Sequence, residues 1–104
     1  MIMQFRWNEE IKKSLLEWIK ERRDYSKRKF GNTIRAFEYE KKIRRNIRII
    51  ILNLKHHQSQ HTLAKKYGIS ESTVSNVLVS FQRFYITNKY KTTDTKRFIH
   101  AYRG

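Results

Sequence analysis

The chain has 104 residues, 24 of them Lys or Arg against 9 Asp or Glu, for a formal net charge of +15. A single small, strongly basic domain follows, and with 38% hydrophobic residues its core is thin. Zero cysteines exclude disulfides, thiolate metal sites and cysteine nucleophiles, and the longest apolar run, Ile49 to Leu52, falls far short of the ~20 residues of a membrane span.

The first predicted element is a helix. Asn8 is placed to cap it, Glu9 and Glu10 suit its positive first turn, and Ile11, Leu15, Trp18 and Ile19 recur at helical spacing. From Lys20 to Lys29 the apolar period fades among Arg22, Arg23, Lys27, Arg28 and Lys29, until Phe30 and Gly31 punctuate the chain, which reads as a fraying helix end or a basic loop. This basic cluster suits a solvated face, contact with a partner protein or contact with DNA. A second helix is expected from Asn32 or Thr33, through Phe37, Ile43, Ile47, Ile50, Ile51 and Leu54, to about His57. No proline, repeat or Gly/Ser-rich linker interrupts the sequence, so residues 1–104 are read as one domain.

The segment from Gln60 to Val79 is the most informative. Leu63 and Tyr67 give a short helix its apolar face, and Ala64 is small where another helix crosses. Gly68 supplies the positive φ of a sharp turn, Ile69 plugs that turn into the core, and Ser70 can cap the next helix with Glu71 in its first turn. Val74, Val77 and Leu78 then point inward, while Ser72, Thr73, Ser75 and Asn76 point outward. A compact helix, a glycine turn and a second helix with a short polar face are what a reader of duplex DNA requires.

These residues resemble the helix-turn-helix of bacterial and phage DNA-binding proteins. Ala64, Gly68, Ile69 and the run Ser72-Thr73-Val74-Ser75 stand where that pattern has them, and with the preceding helix the resemblance covers residues 40–80. The resemblance implies that the helix starting near Glu71 enters the major groove, with Ser72, Thr73, Ser75 and Asn76 as candidate base readers and Ser70 grouped with them at the helix start. It also implies phosphate contacts from Gln60 and Thr62. Glu71 departs from the pattern, because a carboxylate beside phosphate is repelled unless it accepts from cytosine or serves the helix end.

Beyond Leu78 the helical period runs to Phe81, Phe84 or Tyr85. Two β-type runs follow, Ile86 to Lys91 and Lys96 to Tyr102, joined by the polar stretch Thr92 to Thr95. Together they resemble the hairpin of a winged helix domain, which implies that Lys89, Lys91, Lys96 and Arg97 reach phosphates or a minor groove. The alternative is that Asp94 caps a short closing helix.

His57 and His61 stand four apart, but they straddle a helix junction and lack a cysteine or carboxylate to complete a ligand set, so no metal is expected. No serine sits in a glycine-flanked turn, and three glycines in all cannot build a phosphate-binding loop. The chain is therefore read as non-enzymatic and without a cofactor. The fold class expected is mainly α: a helix-turn-helix three-helix core over 32–83, an extra amino-terminal helix and basic segment over 1–31, and a carboxy-terminal β-hairpin wing over 84–104.

The leading function is sequence-specific binding of double-stranded DNA by a homodimeric transcription regulator at an operator. A partition or architectural adaptor of a plasmid or phage, and the DNA-targeting subunit of a recombinase or transposase, are the alternatives. Ile, Lys, Asn, Tyr and Phe supply 43 residues, the bias of an AT-rich coding sequence such as many mobile elements have. No export signal is recognised at the amino terminus, so the cytoplasm is the expected location. Trp7, Ile11, Leu15, Trp18 and Ile19 precede the three-helix unit and are assigned to the dimer interface.

Overall fold

The computed structural model describes residues 6–93. Among them are four helices and no strand: α1 (Glu9–Phe30), α2 (Ile34–Leu54), α3 (Gln60–Tyr67) and α4 (Glu71–Thr93). None is long and apolar enough to cross a membrane.

Local chemistry fixes the ends of α1. Asn8 Oδ1 accepts from the Ile11 N–H at 2.8 Å, Glu9 and Glu10 occupy the first turn, and Lys27, Arg28 and Lys29 occupy the last. Acid at the amino end and base at the carboxy end both complement the helix dipole. The helix then stops at Gly31, whose φ of +59° is in glycine's range. Residues 20–29 are thus unbroken helix and neither a loop nor a frayed end. The aliphatic period fades there because other contacts replace it. Ser26 is buried, Arg23 pairs with Glu40 of α2 at 2.7 Å, and Tyr25 and Phe30 pack on Tyr39 of α2. Lys29 donates to the Tyr25 hydroxyl at 2.9 Å, and that hydrogen bond is the main cause of its pKa lying above the ordinary lysine value.

Thr33 caps α2, which runs back antiparallel to α1. Ile43, Ile49, Ile50 and Leu54 are its buried residues, whereas Ile47 and Ile51 of the expected stripe are half-buried. The helix ends without a glycine: Gln58 N–H bonds back to Leu52 O at 3.0 Å around His57, a non-glycine residue at φ +57°. Asn53 holds this turn by donating to Gln58 O at 2.9 Å.

All four helices share one core. Ile11, Leu15 and Trp18 of α1 pack with Ile49, Ile50 and Leu54 of α2, Leu63 of α3, and Val74, Phe81 and Tyr85 of α4. Trp18, 3% exposed, meets Phe81 edge to face with ring centroids 6.0 Å apart. This corrects the assignment of the α1 stripe to an intermolecular interface: Ile11, Leu15 and Trp18 are sealed inside the chain, and Trp7 and Ile19 pack against the same cluster. A three-helix unit of this composition does not enclose Phe81 and Tyr85 by itself, and α1 supplies the missing wall.

The expected wing is corrected as well. Residues 84–93 continue α4 without a break, so the run Ile86 to Lys91 is helix and not strand. Extending an existing helix adds one hydrogen bond per residue with no nucleation cost, and the extension buries Tyr85 and packs Phe84 and Ile86 on the core. The second run, Lys96 to Tyr102, lies outside the described residues, as does Asp94.

Replacing Trp18 by Ala is expected to cost about 3–5 kcal/mol, much of the ~5–15 kcal/mol that holds a typical domain. Leu16, two residues earlier and 61% exposed, should tolerate Glu within about 0.5 kcal/mol. Urea unfolding of Trp18→Ala and Leu16→Glu, followed by circular dichroism, compares the two.

Candidate nucleic-acid interface

The helix pair α3–α4 is assembled from a repeated local device. Ser59 Oγ accepts from the Thr62 N–H at 3.1 Å and Ser70 Oγ from the Thr73 N–H at 3.1 Å. In each case the two hydroxyls also share a hydrogen bond, at 2.9 Å and 2.8 Å. A Ser-x-x-Thr cap therefore opens both helices. Between them Gly68 sits at φ +65°, ψ +37°, and its N–H bonds back to Ala64 O and Lys65 O while Ile69 N–H bonds to Ala64 O at 3.0 Å. Leu63 and Ala64 are buried where the two helices cross.

This geometry sorts the candidate residues of α4. Ser72 and Asn76 are exposed, and Val79 and Arg83 continue the same outward row at spacings of three and four. Arg83 was missed in the sequence reading. Its signal was its distance of seven residues from Asn76, two turns along one face, which a reading centred on the motif does not reach. Thr73 is half-buried with its hydroxyl engaged by Ser70, and so belongs to the cap more than to the outward face. Ser75 is half-buried on the side of α4 facing Gln60, where the two residues line a depression of about 210 Å³ with Asn53 and Gln82.

Gln60 and Thr62 are exposed in the first turn of α3, with the Thr62 hydroxyl bonded to Ser59, and Lys65 and Lys66 are exposed in its last turn. Ser70 is exposed as the cap of α4. Glu71, the residue out of pattern, lies 3.2 Å from His61 Nδ1, which ties its carboxylate back toward α3. Lys89 and Lys91 belong to the last turns of α4, roughly 20 Å along the axis from Asn76 by helical rise. Lys96 and Arg97 lie outside the described residues.

On its other side the first half of α4 borders a cleft of about 260 Å³ against α1 and α2, lined in part by Arg22, Lys42, Asn46, Thr73 and Asn76. Two flanks of opposite origin thus border one exposed row of side chains. A larger surface depression, about 580 Å³, lies elsewhere, along one side of α1 where Glu17, Glu21 and Asp24 are interspersed with Lys20, Lys27 and Arg28. A single helix face of mixed charge encloses nothing and selects no ligand sign. No group of three His, Asp or Glu suited to a metal occurs among the described residues.

Comparison with known protein families, with characterised proteins and with solved structures gives no match.

The turn itself yields a stability prediction. A Cβ at Gly68 would meet nothing within 4 Å, so Gly68→Ala should cost about 1–2 kcal/mol through backbone conformation alone. His57→Gly should change stability in the opposite direction, because it relieves the same left-handed strain at the end of α2. Thermal unfolding of both variants checks the pair of signs.

Proposed function

We propose that this chain binds duplex DNA by laying the first half of α4 in the major groove. The observation that carries the reading is the row Ser72, Asn76, Val79 and Arg83, exposed on a helix that a glycine turn and two serine caps hold against α3. Such a row offers short hydrogen-bonding groups and one methyl-bearing side chain to base edges, with an arginine at its end for a backbone phosphate. A net charge of +15 supplies the sequence-independent attraction to phosphate. Gln60 and Thr62 at the start of α3 approach the backbone on one side, assisted by the partial positive charge of that helix end. The reading gives Lys89 and Lys91 no part in a wing, and it assigns the chain no reaction.

A regulator acting at an operator accounts for this surface most economically. One short helix reads a few base pairs, too few to define a site among ~10⁶ or more competitors, and a two-fold pair of copies on a pseudo-palindrome doubles the information. The α1 stripe does not serve that pairing. Ile34 and Phe37, 79% and 64% exposed near the start of α2, are the most exposed large apolar side chains among the described residues and are assigned to it.

Affinity for a fluorescent duplex should fall ~10³-fold or more between low and moderate salt if six or more phosphates are neutralised. Against a site selected from random duplexes, Asn76→Ala should lose about 1–3 kcal/mol of preference at one position. Arg83→Ala, assigned to phosphate, should weaken every duplex alike and reduce the salt slope by about 1. A flat salt response would remove the electrostatic half of the reading, and unchanged preference in Asn76→Ala would remove the groove assignment.

For pairing, sedimentation with the selected duplex should give two copies per site. Phe37→Glu should reduce this to one without altering the thermal transition of the free protein. A wild-type chain that occupies the site as one copy would exclude the paired arrangement.

A further inference from the structure

We propose that the cleft between α1, α2 and α4 is an oxyanion site that takes a phosphate group. Two cations border it, Arg22 from α1 and Lys42 from α2, and no carboxylate does. The contrast with the next residue is informative, since Arg23 is paired with Glu40 at 2.7 Å, whereas neither Arg22 nor Lys42 has a carboxylate partner among the described residues.

Arg22 is held in place for binding. Its guanidinium lies 5.1 Å above the Trp18 ring centroid, and one of its nitrogens donates to Ser80 Oγ at 2.9 Å. A guanidinium carries five N–H donors in a rigid fork, so most of its capacity is uncommitted while its position is fixed from below and from the side.

The neutral groups have the same polarity. Trp18 lines the cleft through its ring, on which Arg22 rests, while its indole N–H is buried away from solvent. Asn46 also lines it, with its amide oxygen occupied by Arg45 through two N–H donors at 3.1 and 3.2 Å, which leaves the amide N–H₂ as its free polar end. A cleft bordered by two cations, by the free amide end of Asn46 and by no carboxylate complements a compact, acceptor-rich anion. Its volume, about 260 Å³, lies below the range of pockets for drug-sized ligands and suits an ion of phosphate size.

Two sources supply that chemistry. One is the backbone phosphate of a DNA strand passing α4 on the side opposite Gln60, in which case the inference rests on the duplex-binding reading. The other is free phosphate or a phosphorylated metabolite. Because Thr73 and Asn76 line the same cleft, either occupant sits against the helix that carries the exposed row.

The test uses the full chain and inorganic phosphate at constant ionic strength, read by thermal unfolding and by tryptophan fluorescence, since Trp18 forms part of the cleft. Phosphate should raise the transition temperature more than chloride does. Arg22→Met and Lys42→Met should each weaken that response about tenfold or more, as expected for a lost charge-assisted hydrogen bond. Lys20→Met, which removes equal charge from the solvent face of α1, should not. Lys42 is exposed, so its variant keeps the test open even if Arg22→Met disturbs packing on Trp18. A phosphate response no greater than chloride's, or one that Lys20→Met weakens as much as the other two, overturns the proposal. Displacement of phosphate by duplex DNA identifies the backbone as the occupant, and retention of phosphate in the DNA complex identifies a free anion. Phosphate binding without duplex binding would remove the DNA reading and leave the site.

Discussion

The contact on which the rest of the molecule depends is Trp18 of α1 against Phe81 of α4, edge to face at 6.0 Å. It joins the first helix to the last and covers α4 at Phe81. Beside that contact lies the cleft in which Arg22 rests on the same indole. The helix that carries the candidate reading surface is therefore held at its start and at its middle. Gly68 and Ser70 set its start, and α1 clamps its middle.

The second constraint is charge. Fifteen uncompensated positive charges on 104 residues work against any compact state, and the described residues answer with few ion pairs: Arg23 with Glu40, and His61 with Glu71 if the imidazole is protonated. Exposed pairs of this kind contribute little. Cations instead rest on aromatic faces, Arg22 on Trp18, Lys29 on Tyr25 and Lys41 on Phe37. Such contacts position positive charge without neutralising it, so a polyanion is what relieves the repulsion. By thermodynamic linkage, any ligand that binds the folded chain and not the unfolded one stabilises it by RT times the logarithm of one plus its concentration over its dissociation constant.

Local signals were legible in the sequence wherever chemistry is local. Asn8, Ser70 and Gly68 each act within a few residues of themselves, and each occupies the cap or turn it suggested. What could not be read lies in partners distant along the chain. The stripe Ile11, Leu15, Trp18 is equally suited to a second copy and to α4, and nothing in its own spacing distinguishes the two. The alternation of Ile86 to Lys91 suggested a strand, yet Phe81 and Tyr85 stand four apart just before it, and a helix already under way continues at less cost than a strand begins. For the candidate site, the outward positions Ser72 and Asn76 followed from helical period. The burial of Thr73, the inclusion of Arg83 and the cleft at Arg22 depend on which side of α4 faces α1, and that is tertiary information.

The central claim is that the first half of α4 is the surface that meets DNA. The measurement that addresses it most directly is an amide NMR titration of the isotope-labelled full chain with a selected duplex. The largest shifts should fall on Ser70 to Arg83 and on the first turn of α3, with the solvent face of α1 around Glu17, Glu21 and Asp24 unmoved. Shifts centred on α1, with Ser72 and Asn76 unchanged at saturation, would contradict the account.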